Sequence, residues 1–341
     1  MRVPRPFLSA SSLVLLTASC RKEGTGPDPN DPNALGLAVA VRVDSATFRG
    51  SGEFVLELIP STSAGDLLVD RAWTISATVT APARVAPALV SQVVQMPDSR
   101  RFRVALDVDN SGSMAQSDPT RQRARAARAF WMTLFAEQSD AEASLLYFGL
   151  GALPPTPGFV ATRVLRSWTS DPALLAGLLD TLQLRSRSPM YTSALEVVRW
   201  IDSSTASDTR RALVLLTDAR TNREAGGTPD ALMAAAGKAG VRIYTVGLGA
   251  ASDRGADTDI EAVTRLQELS NATGGLYAGA ATPDRLSSTL QSFAASISRG
   301  MLTARIRLSP VPARGIRIAG RVRLANPELG VAQAPWSFDA P

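Results

Sequence analysis

The chain has 341 residues, of which 45% are apolar, and this is enough to build two or three globular domains with a buried core. Its formal charge is only +5 and its arginines are scattered, so the composition does not indicate nucleic-acid binding. The absence of histidine excludes Ser-His-Asp and Cys-His catalysis, His-ligated zinc and HExxH proteases. The single cysteine, Cys20, excludes an intrachain disulfide.

The N-terminus has the pattern of a secretory signal. Arg2 and Arg5 precede a short apolar run from Phe7 to Ala18. This run is too short to span a bilayer, which takes ~20 residues. Its length suits the apolar region of a signal peptide. We therefore predict a lipoprotein signal peptide over residues 1–19.

Cys20 is the predicted site of lipidation. The preceding residues, LTAS, resemble a bacterial lipobox, although Thr17 stands where that motif prefers leucine. The alternative is an ordinary secretory signal with a chance cysteine. Residues 20–34 are rich in Pro, Gly, Asp and Asn and predict a flexible tether. By analogy with enterobacterial sorting, the absence of Asp at position 21 favours a lipid anchor in the outer membrane of a bacterial cell envelope.

Both flanks of the chain are predicted to be rich in β-structure. Residues 35–96 contain three strand-like runs, Leu35–Val43, Glu53–Ile59 and Trp73–Val79, separated by turn-forming residues. Residues 301–341 have the same character. We expect the two flanks to pair into one sheet.

Residues 97–300 form the largest predicted domain, in which strands and helices alternate. This alternation predicts an α/β fold, a doubly wound and mostly parallel sheet with helices on both faces. The predicted strands are Phe102–Val108, Ala143–Phe148, Ala212–Thr217, Val241–Val246 and Gly275–Ala278. The predicted helices are one capped by Asp118 or Thr120 and running to Ala136, then Asp171–Leu182, Tyr191–Ile201, Thr228–Ala239, Asp259–Asn271 and Pro283–Arg299.

The first of these strands leads into a candidate metal-binding turn. Asp109, Ser111 and Ser113 follow it with the spacing D-x-S-x-S. Hard oxygen side chains suit Mg²⁺ or Mn²⁺. Open α/β folds also place their ligands at the carboxyl ends of parallel strands. The alternative is a Ser/Gly-rich turn with a capping aspartate.

Two further carboxylates lie near this edge. Asp218 ends the apolar strand ALVLLT, in the same position relative to its strand as Asp109. It either faces the same site or forms an Asx turn. Asp107 lies two residues before Asp109, where an unpaired buried carboxylate would be costly. It either pairs with an arginine or adds negative charge near the ion.

At this point four segments resemble the von Willebrand factor type A (vWA) family. They are VDNSGSM at 108–114, LLTDARTN at 215–222, KAGVRIYTVGLG at 238–249 and LQELSNATGGLYAGAATPDRL at 266–286. They occur in the order that the family shows and span about 200 residues of the chain. The resemblance implies a doubly wound sheet with a metal-ion-dependent adhesion site (MIDAS) at its carboxyl edge.

The resemblance also implies the ligands of this site. Asp109, Ser111 and Ser113 correspond to its first loop. Asp218 corresponds to an aspartate near the metal in a Thr-Asp-Gly turn, with alanine replacing the glycine here. The family usually has an apolar residue at the position of Asp107.

A threonine of the family's second loop has no identical counterpart. In RSPMYT, Ser188 aligns with that threonine and keeps its hydroxyl group. The family's glycine before it is missing. Thr192 is the alternative ligand, although we expect it to lie inside the following helix.

These features predict a lipid-anchored, metal-dependent protein-binding module. We expect Mg²⁺, or Mn²⁺ or Ca²⁺, and a protein partner whose acidic side chain completes the coordination. The alternative is a structural scaffold of the envelope whose metal site is vestigial or only stabilising. We do not expect an enzyme, because the carboxylates have no independent support as acid–base machinery and metal-dependent hydrolases more often cluster three or more carboxylates or histidines. No P-loop and no glycine-rich dinucleotide motif occurs in the sequence.

Overall fold

The computed structural model describes residues 35–62, 64–95, 100–149, 155–178, 184, 187–221, 226–252, 258–280 and 285–341. The predicted signal peptide, Cys20 and the tether lie outside these residues. Within them, every helix is too short or too polar to cross a membrane.

Helix boundaries follow from capping residues in the sequence. The side chain of Thr228 accepts a hydrogen bond from the Ala231 N–H and so begins a helix that ends at Gly240, in the left-handed conformation at φ 64°. The helices are α1 Ser45–Ser51, α2 Met114–Ser117, α3 Gln122–Glu137, α4 Ala173–Ala176, α5 Met190–Ser204, α6 Pro229–Ala239, α7 Ile260–Thr273 and α8 Leu286–Arg299. The strands are β1 Leu35–Arg42, β2 Glu53–Thr62, β3 Thr74–Ala81, β4 Ala86–Gln95, β5 Phe102–Asp109, β6 Glu142–Phe148, β7 Thr162–Thr169, β8 Arg210–Thr217, β9 Val241–Leu248, β10 Tyr277–Ala280, β11 Met301–Ser309, β12 Arg317–Asn326 and β13 Gly330–Asp339.

A ten-stranded sheet runs through the molecule in the order β4-β11-β2-β1-β10-β9-β8-β5-β6-β7. Its central strands β10, β9, β8, β5 and β6 are parallel to one another. The predicted α/β fold class is confirmed. Parallel strands end at the same edge of a sheet, so the carboxyl ends of β5 and β8 are neighbours.

Helices cover both faces of the parallel part. Helices α3 and α8 pack on one face, and α5, α6 and α7 pack on the other. Side chains alternate between these faces along β5, because successive residues of a strand point to opposite sides. Val104, Leu106 and Val108 pack with α3, whereas Ala105 packs with α5. The alternation places Asp107 and Asp109 on the α5 face.

The two flanks of the chain pair with each other in two sheets, one of which is continuous with the α/β part. Strand β11 pairs with β2 and β4 and thereby extends the ten-stranded sheet. Strand β12 pairs with β3 and β13 in a second, three-stranded sheet. An apolar layer that includes Phe54, Trp336 and Phe338 lies between the sheets. The β-rich flanks are therefore continuous with the α/β part.

Some elements differ from the predicted ones. Strands β4 and β7 were not predicted, because each lies at an edge of the sheet and its side chains are mostly exposed or half-buried, which leaves no clear alternation of apolar residues. The predicted helix Asp171–Leu182 is a single turn, Ala173–Ala176, within the described residues, and residues 179–183 lie outside them. Helix α3 begins later than predicted, with Arg121 instead of Asp118 at its N-cap, but the Asp118 carboxylate still accepts the Gln122 and Arg123 N–H groups at 2.7 and 3.2 Å.

Candidate metal site

The candidate site lies where the direction of chain progression across the sheet reverses. The chain goes from β5 to β6 on one side, and returns through β8 and β9 on the other side. The crevice at such a switch point, outside the carboxyl ends of the strands, is where open α/β folds bind ligands. Asp109 ends β5, and Thr217 and Asp218 end and follow β8.

Asp109 is fully buried and held by both of its oxygens. Its Oδ1 accepts the Ser111 N–H at 2.9 Å, and its Oδ2 accepts the Thr217 hydroxyl at 2.7 Å. Burial raises the pKa of Asp109 to about 6, and the nearby Asp218 carboxylate adds to the increase. The two carboxylates repel each other, and a divalent cation between them would remove that repulsion.

Ser111 and Ser113 present their hydroxyl groups side by side. Their Oγ atoms are 3.0 Å apart. Two oxygens that bind Mg²⁺ at ~2.1 Å and at right angles to each other lie ~3.0 Å apart. The spacing of this pair therefore fits two adjacent positions of an octahedral ion, and its hard oxygens fit the chemistry of Mg²⁺.

Asp218 is 1% exposed, and its carboxylate bonds both to α2 and, as in an Asx turn, within its own loop. Its Oδ2 accepts the Ser117 hydroxyl at 2.8 Å, and its Oδ1 accepts the Arg220 N–H at 3.1 Å. Ala219 has φ 56°, a left-handed conformation that costs a non-glycine residue ~1–2 kcal/mol. The alanine thus keeps the turn that a glycine would form without strain.

The loop before α5, which contains Ser188, contacts the loop after β8, which contains Asp218, through a backbone carbonyl group. Ser188 is buried just before α5, and its carbonyl oxygen accepts the Thr221 hydroxyl at 3.1 Å. Thr192 instead lies within α5 and packs closely against the backbone at Gly227, which has no room for a side chain there. Of the two predicted alternatives, Ser188 lies in the loop before α5 and Thr192 lies inside the helix, as expected.

Asp107 is fully buried behind Asp109, and its partner is a hydroxyl group instead of an arginine. The Ser193 Oγ is 2.9 Å from Asp107 Oδ2, and no described residue bonds to Oδ1. Burial raises the pKa of Asp107 to about 8, and the Asp109 and Glu196 charges add to the increase, whereas the Ser193 hydrogen bond lowers it.

The hydrogen bonds around Asp107 require a proton on one carboxyl group. Ser193 Oγ is 2.8 Å from Thr162 Oγ1, which is 2.8 Å from Glu196 Oε2. The chain from Asp107 to Glu196 has three contacts, and its two hydroxyls supply only two protons. Glu196 already accepts the N–H groups of Val160, Ala161 and Thr162 at 2.6, 3.1 and 3.1 Å. The raised pKa of Asp107 favours this residue as the carrier of the third proton.

Buried groups hold the first loop from behind. Arg123 is 2% exposed and donates to Asp118 Oδ2 at 2.8 Å and to Asn110 Oδ1 at 3.3 Å. Gly149 follows β6 at φ 140°, and a Cβ on it would lie 2.8 Å from the Asn110 carbonyl oxygen. Only glycine allows the backbone to approach the first loop this closely.

The structure thus brings the loop of Asp109, Ser111 and Ser113 directly together with the loop of Asp218. The loop of Ser188 joins them through Thr221. The sequence did not single out Thr217, Ser117, Thr221 or Ser193. Thr217 had a usable signal, because it precedes Asp218 at the end of the same strand. Ser117 lies one helical turn after Ser113, a spacing that also places its side chain at this edge.

No protein-family model and no curated protein matches the chain. Among solved structures, a von Willebrand factor type A protein from Catenulispora acidiphila is 13% identical and covers 90% of this chain and 72% of its own, with a TM-score of 0.43. The pilus adhesin SpaC from Lactobacillus rhamnosus GG is 12% identical, with coverages of 92% and 48% and a TM-score of 0.42. An aerotolerance-related membrane protein from Bacteroides fragilis is 17% identical, with coverages of 57% and 98% and a TM-score of 0.41. Similarity at this level does not assign the chain to a family.

Proposed function

We propose that this chain is a vWA-type module that binds a protein partner through a divalent cation. The observation that carries the proposal is the hydrogen-bonded convergence of the predicted loops at the switch point of the sheet. Thr217 joins Asp109 to β8, and Ser117 joins Asp218 to the first loop. Thr221 joins the loop of Ser188 to that of Asp218.

The proposed ligands are Asp109, Ser111, Ser113, Ser188 and Asp218. Three of them are uncharged hydroxyls, so a bound Mg²⁺, or Mn²⁺ or Ca²⁺, keeps an electrophilic position for the carboxylate of a partner. The residues of the chain fix the position of the ion, and the surrounding surface selects the partner. We propose a binding function and not catalysis, because the proposed ligation is rich in hydroxyls, whereas metal-dependent hydrolases more often cluster three or more carboxylates or histidines.

We further propose that Cys20 anchors the module in the bacterial envelope, at the outer membrane. The support is the position of the only cysteine after an apolar run and before a polar segment. The full chain should take up a metabolically supplied palmitate analogue and fractionate with membranes. Cys20→Ala should lose the label and leave the membrane fraction, and unchanged labelling would contradict the proposal.

Partner binding can be tested with envelope extract passed over the immobilised chain, in Mg²⁺ or in EDTA. We expect the wild type to retain a partner in Mg²⁺ only, and Ser111→Ala/Ser113→Ala to retain none. Ser203→Ala is the matched control, because its exposed hydroxyl bonds only within α5. A partner retained in EDTA and by the double variant would exclude the adhesion mechanism. Absence of any retained partner would favour the structural scaffold.

A further inference from the structure

Strand β4 forms one edge of the ten-stranded sheet and is exposed along its length. Among the described strands it pairs with β11 alone, and nine of its ten residues are exposed. Four of these are large apolar residues, namely Leu89, Val90, Val93 and Val94, which are 42%, 42%, 60% and 38% exposed. The outer N–H and C=O groups of such an edge are a template for pairing with another strand.

Strand β4 also lacks the charges that protect other sheet edges. Its sequence, APALVSQVVQ, contains no charged side chain. The strand at the opposite edge of the same sheet, β7, carries Arg163 and Arg166. Charged side chains on an edge strand oppose its pairing with a second chain. Pro87 and a shift of register at Val90 interrupt the first half of β4, so the regular and unprotected part is Ser91–Gln95.

The apolar side chains of β4 lie on both faces of the sheet. Directly paired residues of antiparallel strands share a face. Val94 pairs with Leu302 and Leu89 pairs with Ile306, and both partners belong to the apolar layer between the two sheets. Val94 and Leu89 therefore continue that layer to its rim, where they remain partly exposed. Val93 lies on the opposite face, because successive residues of a strand alternate. A strand added beside β4 would cover apolar side chains on both faces.

The charges nearest to Val93 on its face are already paired within one copy of the chain. They are Arg305 and Arg307 of β11, and both form ion pairs with Glu53, at 3.5 and 2.6 Å. If β4 of two copies paired, their β11 strands would be three strand spacings apart, or ~14 Å at ~4.8 Å each. Physiological salt screens exposed charges beyond ~8 Å. These arginines therefore do not oppose the approach of two copies along β4.

We propose that β4 pairs antiparallel with β4 of a second copy of this chain, about a two-fold axis at Val93. This register places Val93 opposite its own equivalent, and it places Ser91 opposite Gln95 of the second copy. Apolar thus meets apolar and polar meets polar on that face. A strand of a different protein would have to be selected by charge, and β4 offers none, whereas a two-fold interface is complementary to itself. The pairing is independent of the metal site, because β8 is six strands away from β4 in the sheet.

Sedimentation velocity of the full chain in EDTA measures this self-association. Cys20→Ala is the common background, because it removes the only cysteine. We expect a concentration-dependent equilibrium of monomer and dimer. Val93→Lys should weaken dimerisation at least tenfold, because it places two like charges directly opposite each other at the axis. Met132→Lys is the matched control, since Met132 is 63% exposed on α3, and it should dimerise like the background. A monomeric background chain, or equal dimerisation of both lysine variants, would overturn the proposal.

Disulfide trapping tests the register without adding a charge. Directly opposite residues of antiparallel strands have Cα atoms ~4.5–5.5 Å apart, within the ~4.4–6.8 Å that a disulfide requires. In the Cys20→Ala background, Val93→Cys should form a disulfide-linked dimer under mild oxidation. Met132→Cys has similar exposure and should remain mostly monomeric. Equal trapping of the two cysteine variants, or no trapping of Val93→Cys, would contradict the pairing at β4.

Discussion

The Ser193 hydroxyl and the Asp107 carboxyl share a hydrogen bond of 2.9 Å, and this bond fixes the first turn of α5 against β5. The bond connects residues that are 86 positions apart in the sequence. Ser188 lies just before this turn, and Asp109 ends the strand. The pair therefore sets the distance between two loops of the candidate metal site.

Removal of this bond should destabilise the protein. Ser193→Ala leaves the buried carboxyl of Asp107 without its only described partner, and such a loss costs ~1–3 kcal/mol. Urea unfolding monitored by circular dichroism measures the change. Ser203→Ala on the same helix is the control, with no expected loss. Equal stability of the two variants would show that this hydrogen bond does not stabilise the fold.

Asp107 should make the metal-free protein less stable as the pH rises. Its pKa is about 8 in the folded protein and 3.8 ordinarily. Between these values the unfolded chain releases the proton and the folded chain keeps it, so the free energy of unfolding falls with pH. Below pH 4 both states are protonated, and above pH 8 both are ionised.

Asp107→Asn should remove this fall between pH 6 and pH 8, measured by urea unfolding in EDTA. The amide resembles the neutral carboxyl group and can donate to Ser193. The window begins at pH 6 because Asp109, with a pKa of about 6, contributes in both proteins below it. If the free energy of unfolding changed with pH in the same way in the wild type and the variant, the proton would not be on Asp107.

The sequence predicted which residues lie at this edge of the sheet better than it predicted the groups that support them. Asp109, Ser111 and Ser113 occur in one short motif, and Asp218 was found because parallel strands end at one edge. Thr217 bonds to Asp109 across 108 residues, and Ser117 bonds to Asp218 across 101 residues. Such pairs leave no local pattern, because only strand order and register bring them together.

The sequence pattern also did not predict how many strands the main sheet includes. The flanks were predicted as a sheet beside the α/β part, but β1 pairs with β10 and so continues the same sheet. Strand β4 buries little on either face and shows no alternation of apolar residues. The pairing partners of a strand depend on the whole fold, and local periodicity does not predict them.

The buried ion pair behind the first loop should be sensitive to loss of one charge. Asp118→Asn keeps an oxygen for capping α3 but leaves Arg123 buried without its countercharge. Breaking a buried pair in this way costs ~3–5 kcal/mol. The exposed Asp140→Asn removes the same charge and should change thermal unfolding little. Similar melting temperatures for both variants would contradict this role of Asp118.

The central claim, a divalent metal site built by Asp109, Ser111, Ser113, Ser188 and Asp218, is tested most directly by isothermal titration of the full chain with Mn²⁺ and Mg²⁺. The wild type and Ser203→Ala should each bind one ion per chain, and Ser111→Ala/Ser113→Ala should bind at least tenfold more weakly, because two hydroxyls 3.0 Å apart are removed. Absence of saturable binding to the wild type, or equal affinity in the double variant, would contradict the claim.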